Sequence, residues 1–202
     1  IQTLAGLVAD LMQTRRARAA VVALAAGTVL GALGRAAQRG TTRFEILLHE
    51  LTHVLWTWLF GGRASKLRVN RRGGSVRVTR DNIWVSLAPY FFPLTTIAVL
   101  AAWGVVRLVL DSTGPRELWF ALIGASWGAH AVAVAELLRI PQPDVEQHGT
   151  LCSLMMILAA NLFGVGLTLA IVGNFGAGDW CLRWLRTLLI AIRALIAWRG
   201  LG

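Results

Sequence analysis

Charge is what this chain has least of. Of its 202 residues, 15% are charged and 56% hydrophobic, a balance that excludes a water-soluble globular domain and leaves an integral membrane protein. Acidic residues are scarcest, 10 against 20 basic, and every basic residue except Lys66 is arginine. In a soluble protein the net charge of +10 would suggest a nucleic-acid partner. Here the arginines fall mainly between hydrophobic runs, where they set orientation in a bilayer, so no nucleic acid is expected. Cysteine is limited to Cys152 and Cys181, both in or beside apolar segments and far from any C-x-x-C pattern. That excludes a disulfide framework, and both thiols are expected as small buried hydrophobes. There is no internal repeat, low-complexity tract or long linker, so one membrane-embedded domain is expected over residues 1–202, with its core at 41–172 and a C-terminal helix within 173–202.

What is present in quantity is apolar sequence. A bilayer crossing needs about 20 residues at 1.5 Å each. Five segments meet that need, approximately Ala19 to Leu33, Thr41 to Phe60, Leu87 to Val109, Leu118 to Leu138 and Thr150 to Val172. A sixth, Trp180 to Trp198, is interrupted by Arg183, Arg186 and Arg193 and is either transmembrane or an interfacial amphipathic helix. The first segment follows Arg15, Arg16 and Arg18 as a signal peptide would, but no small-x-small cleavage site precedes the next segment, so a retained helix is expected. The fold class is therefore an all-α polytopic membrane protein of five or six transmembrane helices with a small β-hairpin. "LRV" and "SVRVT" alternate apolar and basic residues around the turn-rich "NRRGG". The cluster Arg63, Lys66, Arg68, Arg71, Arg72, Arg77 and Arg80 puts this hairpin, residues 63–80, in the cytoplasm. Counting crossings from there, the N-terminus and the segment Arg139 to Gly149 are also cytoplasmic, and the loop with Arg35, Arg39 and Arg43 is outside.

The second segment contains "HELTH". His49 and His53, four apart, lie on one helix face within reach of a single ion. This is an H-E-x-x-H match, in which two imidazoles bind Zn2+ and Glu50 beside the metal takes a proton from a water whose pKa the ion lowers toward about 7. The alternative is a pair of hydrogen-bonded core histidines. At bilayer depth an unpartnered ionisable residue costs several kcal/mol, so three within five positions favour the shared metal. A catalytic zinc takes three protein ligands and keeps one open position. The third candidates are Asp144, Glu146 and His148 in "IPQPDVEQHG", with His130 and Glu136 in the fourth segment. Measured from Phe60 and Leu138 as ends on one face, His53 and His130 lie about 10 and 12 Å deep, which lets the two share a level. Asn161 reads as a polar residue that joins helices.

In order, "HELTH" in a membrane helix, the basic hairpin through "LAPYFFPL", and "QPDVEQHG" opening a later helix resemble the site-2 protease family of intramembrane zinc metallopeptidases, over Phe44 to about Asn161. The resemblance implies His49, His53 and Asp144 as zinc ligands, Glu50 as general base, and a hairpin edge that receives an extended substrate. It also implies hydrolysis of peptide bonds in or near transmembrane segments of other proteins, in contact with membrane lipid and, as expected here, in a bacterial inner membrane. The chain departs from the family's N-P-D-G or L-D-G setting, since Val145 and Glu146 follow Asp144 and glycine comes only at Gly149; Glu146 and His148 stay open as substitutes. His130 has no counterpart in the minimal motif and is either an interhelical histidine or a catalytic donor to the oxyanion. Two other classes are weighed. A haem protein would leave Glu50 unexplained, and histidines on one helix face cannot cap both sides of a haem. A non-catalytic scaffold or chaperone would keep the same fold without turnover.

Overall fold

Helices dominate the computed structural model, which describes residues 15–38, 40–70, 73–110, 114–173 and 177–199. Arg39, Arg71 and Arg72 lie outside the described residues. In chain order the elements are α1 (Arg15–Ala37), α2 (Arg43–Leu59), β1 (Ala64–Asn70), β2 (Gly73–Val78), α3 (Ile83–Phe91), α4 (Leu94–Val109), α5 (Arg116–Leu137), the single turn α6 (Pro143–Glu146), α7 (Thr150–Val172) and α8 (Ala177–Arg199). Residues 18–37, α5 and α7 are each long and apolar enough to cross a membrane, and α3 with α4 makes a fourth if the pair is one span. Large apolar side chains point away from the protein on these helices, among them Leu30, Leu108 and Leu151. In water that surface would be costly; in hydrocarbon it is matched, and the arrangement fits an integral membrane protein.

The tightest helix pair is α1 on α5. A Cβ built on Gly27 would sit 2.0 Å from the Ala121 carbonyl oxygen, and one on Gly31 would sit 2.0 Å from that of Ala125. From the other side, a Cβ on Gly124 or Gly128 would meet the carbonyl oxygens of Leu24 and Thr28 at 2.1 and 2.0 Å. Two G-x-x-x-G faces thus bring backbone onto backbone, the packing that lipid favours because apolar side chains gain nothing by leaving it. The partners advance together along both helices, so α1 and α5 run parallel.

One ion-pair cluster joins three helix ends. Arg35 in the last turn of α1 is buried, with Nε 2.5 Å from Glu45 Oε1 at the start of α2 and Nη2 2.7 Å from Glu136 Oε2 at the end of α5. The sequence reading puts the Arg35 loop and the Arg139 to Gly149 segment on opposite faces, and this contact corrects it: both lie at one end. Two parallel spanning helices require an odd number of crossings between them, whereas the sequence reading supplies two. The physical reason is the third segment, which is two helices bent by 70°. Pro89 sits inside α3 and Pro93 caps α4, and proline removes a backbone donor and crowds the preceding turn. The shared depth scale from Phe60 and Leu138 falls with the same correction, because those residues end helices at opposite ends.

The hairpin packs back against α2. Its base is closed by Thr79 N–H to Arg63 O at 3.0 Å and Arg63 N–H to Thr79 Oγ1 at 2.8 Å. The strands are antiparallel, with Arg68 opposite Ser75 and Asn70 opposite Gly73, and a bulge between Ser65 and Arg68 takes Lys66 to a φ of 54°. From that base beside the end of α2 the ribbon folds back along the helix until Gly74 meets Ile46 and Glu50. Cys152 and Cys181 are exposed on α7 and α8 rather than buried; in lipid, the outward face is the apolar environment that a thiol suits.

The glycine packing is testable by size. Gly124→Leu forces a side chain into the Leu24 backbone and is expected to cost about 1–3 kcal/mol or more, read as a lower thermal unfolding midpoint in detergent. Gly34→Leu, with nothing within 4 Å of its Cβ, is expected to leave the midpoint near that of the wild type.

Candidate metal centre

Helix α2 starts at a capping box. Thr42 Oγ1 accepts from Glu45 N–H at 3.2 Å, and Glu45 Oε2 accepts from Thr42 N–H at 2.7 Å, satisfying two otherwise orphaned donors. The helix fixed there carries His49 and His53 on one face, their rings edge to face with centroids 5.0 Å apart. His53 Nδ1 lies 2.9 Å from Val85 O in α3. A carbonyl only accepts, so Nδ1 carries the proton and Nε2 is left with a free lone pair. This is how metal-binding imidazoles are ordinarily oriented.

The third group arrives from the chain between α5 and α7. After Pro141 the backbone reaches Pro143, whose fixed φ and missing N–H suit the first position of α6. Several contacts dock this turn on α3. On α3, Ser86 Oγ accepts from Gln147 Nε2 at 2.7 Å and Tyr90 Oη donates to Asp144 Oδ2 at 3.3 Å, while Gln142 Nε2 ties the start of the turn back to Leu137 O at the end of α5 at 3.0 Å. Ser153 Oγ closes the turn onto α7 by donating to Val145 O at 2.9 Å. The result puts Asp144 Oδ2 3.7 Å from His53 Nε2 and 3.9 Å from His49 Nε2. Burial acts to raise the Asp144 carboxyl, but the two imidazoles and the Tyr90 hydroxyl outweigh it and hold it below the usual carboxylate range.

These distances suit an ion better than direct contacts. They are too long for hydrogen bonds, yet one nitrogen from each histidine and one Asp144 oxygen all lie within 4.8 Å of one another. Ligand atoms around a tetrahedral zinc with bonds of about 2.1 Å are roughly 3.4 Å apart, close to what the imidazoles and the carboxylate present. Two neutral imidazoles and one carboxylate are also a donor set that zinc accepts. The other candidates are placed elsewhere: Glu146 is exposed, His148 Nε2 sits 3.2 Å from Ser86 Oγ, and Glu136 is paired with Arg35.

Glu50 and His130 both line a cavity of about 860 Å³ between α1, α2, α5 and the hairpin tip. Glu50 is buried, and the main chain of the hairpin passes beside its carboxylate: a Cβ on Gly74 would lie 2.7 Å from Glu50 Oε1. His130, on α5, has its ring edge toward Trp127, and its Nε2 is buried without a hydrogen-bond partner. Asn161 Nδ2 donates to Tyr90 O at 2.9 Å, the helix-joining role expected of it. Sequence reasoning missed Gly74 and Tyr90. The signals were a second glycine at the hairpin turn and a single tyrosine in an otherwise apolar run.

The family model described as Peptidase M50B-like matches residues 17–124, more than half the chain. The match takes in His49, Glu50, His53 and the hairpin, and ends before His130 and Asp144. No curated protein and no solved structure matches the chain. Metal analysis tests the cluster directly: purified wild type is expected to carry zinc, His49→Ala and Asp144→Ala to lose it, and Glu146→Ala to keep it. Zinc retained by Asp144→Ala would move the third ligand to Glu146 or His148.

Proposed function

The chain belongs to the M50B-like peptidase family, of site-2 protease type, and from that premise we propose that it is an intramembrane zinc metalloprotease that hydrolyses peptide bonds in or beside transmembrane segments of other membrane proteins. The observation that carries the reading is the convergence of His49, His53 and Asp144 next to a buried glutamate at the wall of a cavity. His49 and His53 through Nε2, and Asp144 through its carboxylate, would hold the ion. When bound, zinc polarises a substrate carbonyl and lowers the pKa of water.

The remaining chemistry belongs to the chain. Glu50 takes one proton from the attacking water and passes it to the amide nitrogen as the C–N bond breaks, which leaves a carboxylate and an amine. His130, which lines the same cavity, is the proposed stabiliser of the oxyanion that develops on the carbonyl. Gly74, without a side chain, lets hairpin backbone approach Glu50, and an extended substrate adding to that ribbon would have its scissile bond beside the base. Strand addition suits this task because a helical substrate hides its amides until it unwinds.

The same reading covers orientation. The start of α1 with Arg15, Arg16 and Arg18, the base of the hairpin and the junction of α4 with α5 share one end, and the positive-inside rule makes that end cytoplasmic. The crossings are then α1, α2, α5 and α7, with α3 and α4 entering and leaving on the cytoplasmic side and α8 as a fifth span or an interfacial helix. Asp144 approaches from the opposite face. A bacterial inner membrane, surrounding lipid and a transmembrane protein substrate are the proposed setting.

The test is Glu50→Gln in liposomes that contain transmembrane peptides. Cleavage is expected to fall by at least about 100-fold while zinc content is unchanged. Equal cleavage by wild type and variant would overturn the mechanism.

A further inference from the structure

We infer that Tyr90 is a positioning residue for the metal centre, its phenol fixing the Asp144 carboxylate so that one oxygen faces both imidazoles. The inference rests on the metal-binding reading above. Asp144 stands on a single helical turn and is about a third exposed, at 31% of its side-chain surface. Little in so short an element holds a carboxylate in one rotamer. Tyr90, by contrast, is fully buried, at 0% exposure, among Leu87, Val134, Val145 and Ile157.

Three contacts fix the tyrosine itself. Its carbonyl accepts from Asn161 Nδ2 and also from the His130 ring, and its own ring stands edge to face against His49 with centroids 5.7 Å apart. A buried phenol needs a partner for its proton. The hydroxyl has two acceptors, Asp144 Oδ2 at 3.3 Å and Gln142 Oε1 at 3.2 Å. Because Gln142 Nε2 is committed to Leu137 O, the amide presents its oxygen to the phenol and cannot donate back. One proton therefore serves two acceptors, and the charged one makes the stronger bond.

The acceptor oxygen decides the role. Asp144 Oδ2, to which Tyr90 points, is also the oxygen nearest both histidine Nε2 atoms. A donor on that oxygen holds the carboxylate's orientation and withdraws charge from the atom that would meet the ion. Tyr90 touches the Asp144 ligand and the His49 ring together, so it sets the distance between the helix that carries the imidazoles and the turn that carries the carboxylate. Outer-shell partners of this kind ordinarily change metal affinity by roughly 10–100-fold.

The experiment uses the full zinc-loaded chain and reads the metal rather than cleavage. Tyr90→Phe removes the hydroxyl and keeps the ring; it is expected to lose zinc to a chelator at a free-zinc level roughly 10–100-fold higher than wild type does. Glu146→Ala, an exposed change on the same turn, is expected to hold zinc as wild type does. Tyr90 is the chain's single tyrosine, so biosynthetic 3-fluorotyrosine labels this phenol alone, and its fluorine resonance is expected to shift when zinc is removed. Tyr90→Phe holding zinc within about twofold of wild type, Glu146→Ala losing it as readily as Tyr90→Phe, or a resonance indifferent to zinc would each overturn the positioning role. Absence of zinc from wild type would instead overturn the metal-binding reading, and this inference with it.

Discussion

The buried guanidinium of Arg35 is the constraint on which the arrangement depends. Taking an arginine out of water is expensive, and removing one of its carboxylate partners would leave the buried guanidinium incompletely compensated. Once formed, the cluster is therefore hard to break, and it ties the end of α1, the start of α2 and the end of α5 together. The meeting of His49, His53 and Asp144 follows from those three ends coming together. The chain leaving α5 emerges beside the first turns of α2, so Asp144 needs only a short Pro-directed turn to reach the histidine face. Had α5 run the other way, its loop would open at the far end of α2, about 25 Å from that start for 17 residues.

The glycine faces of α1 and α5 divide the molecule in a complementary way. By drawing those two helices into backbone contact, they leave α2 standing apart from the pair, joined to it at the Arg35 end. The space between becomes the cavity that Glu50 and His130 line. Its walls on the α1 and α5 side include Gly31, Gly34, Ala125, Ala129 and Ala133. The residues that suit close helix packing in lipid therefore also leave room beside Glu50.

Legibility in the sequence followed the range of the interaction. "HELTH" was readable because four residues of helix are enough to align two imidazoles, and the helical segments were readable from apolar length. Asp144 was readable only as one of several candidates, since what selects it over Glu146 and His148 is docking on α3 through Ser86 and Tyr90, more than 50 residues earlier in the chain. The direction of α5 was misread because an apolar run from Leu87 to Val109 looks like one crossing, and hydropathy does not register the bend that Pro89 and Pro93 produce. G-T-V-L-G and G-A-S-W-G stand in the sequence as helix-pairing motifs and were passed over for the more conspicuous histidines. The thiols were misjudged because inside and apolar are different places in a lipid-facing protein.

The two irregular pieces of backbone then have a common explanation. A hairpin folded back along α2 and a Pro-rich turn dipping toward it are irregular backbone, which hydrocarbon does not tolerate when exposed to it. They meet around Glu50 and the histidines, from opposite ends of α2. Backbone at that depth is stable only where it is covered by protein or lines a water-accessible space. Peptide hydrolysis in a membrane has the same requirement, because its co-substrate is water and the bilayer core excludes it. The proposed chemistry and the permitted location of irregular backbone thus select the same place. A site built only from straight helices could bring the two histidines and a carboxylate together equally well, but it would lack the strand edge and the water-accessible backbone that the proposed hydrolysis requires.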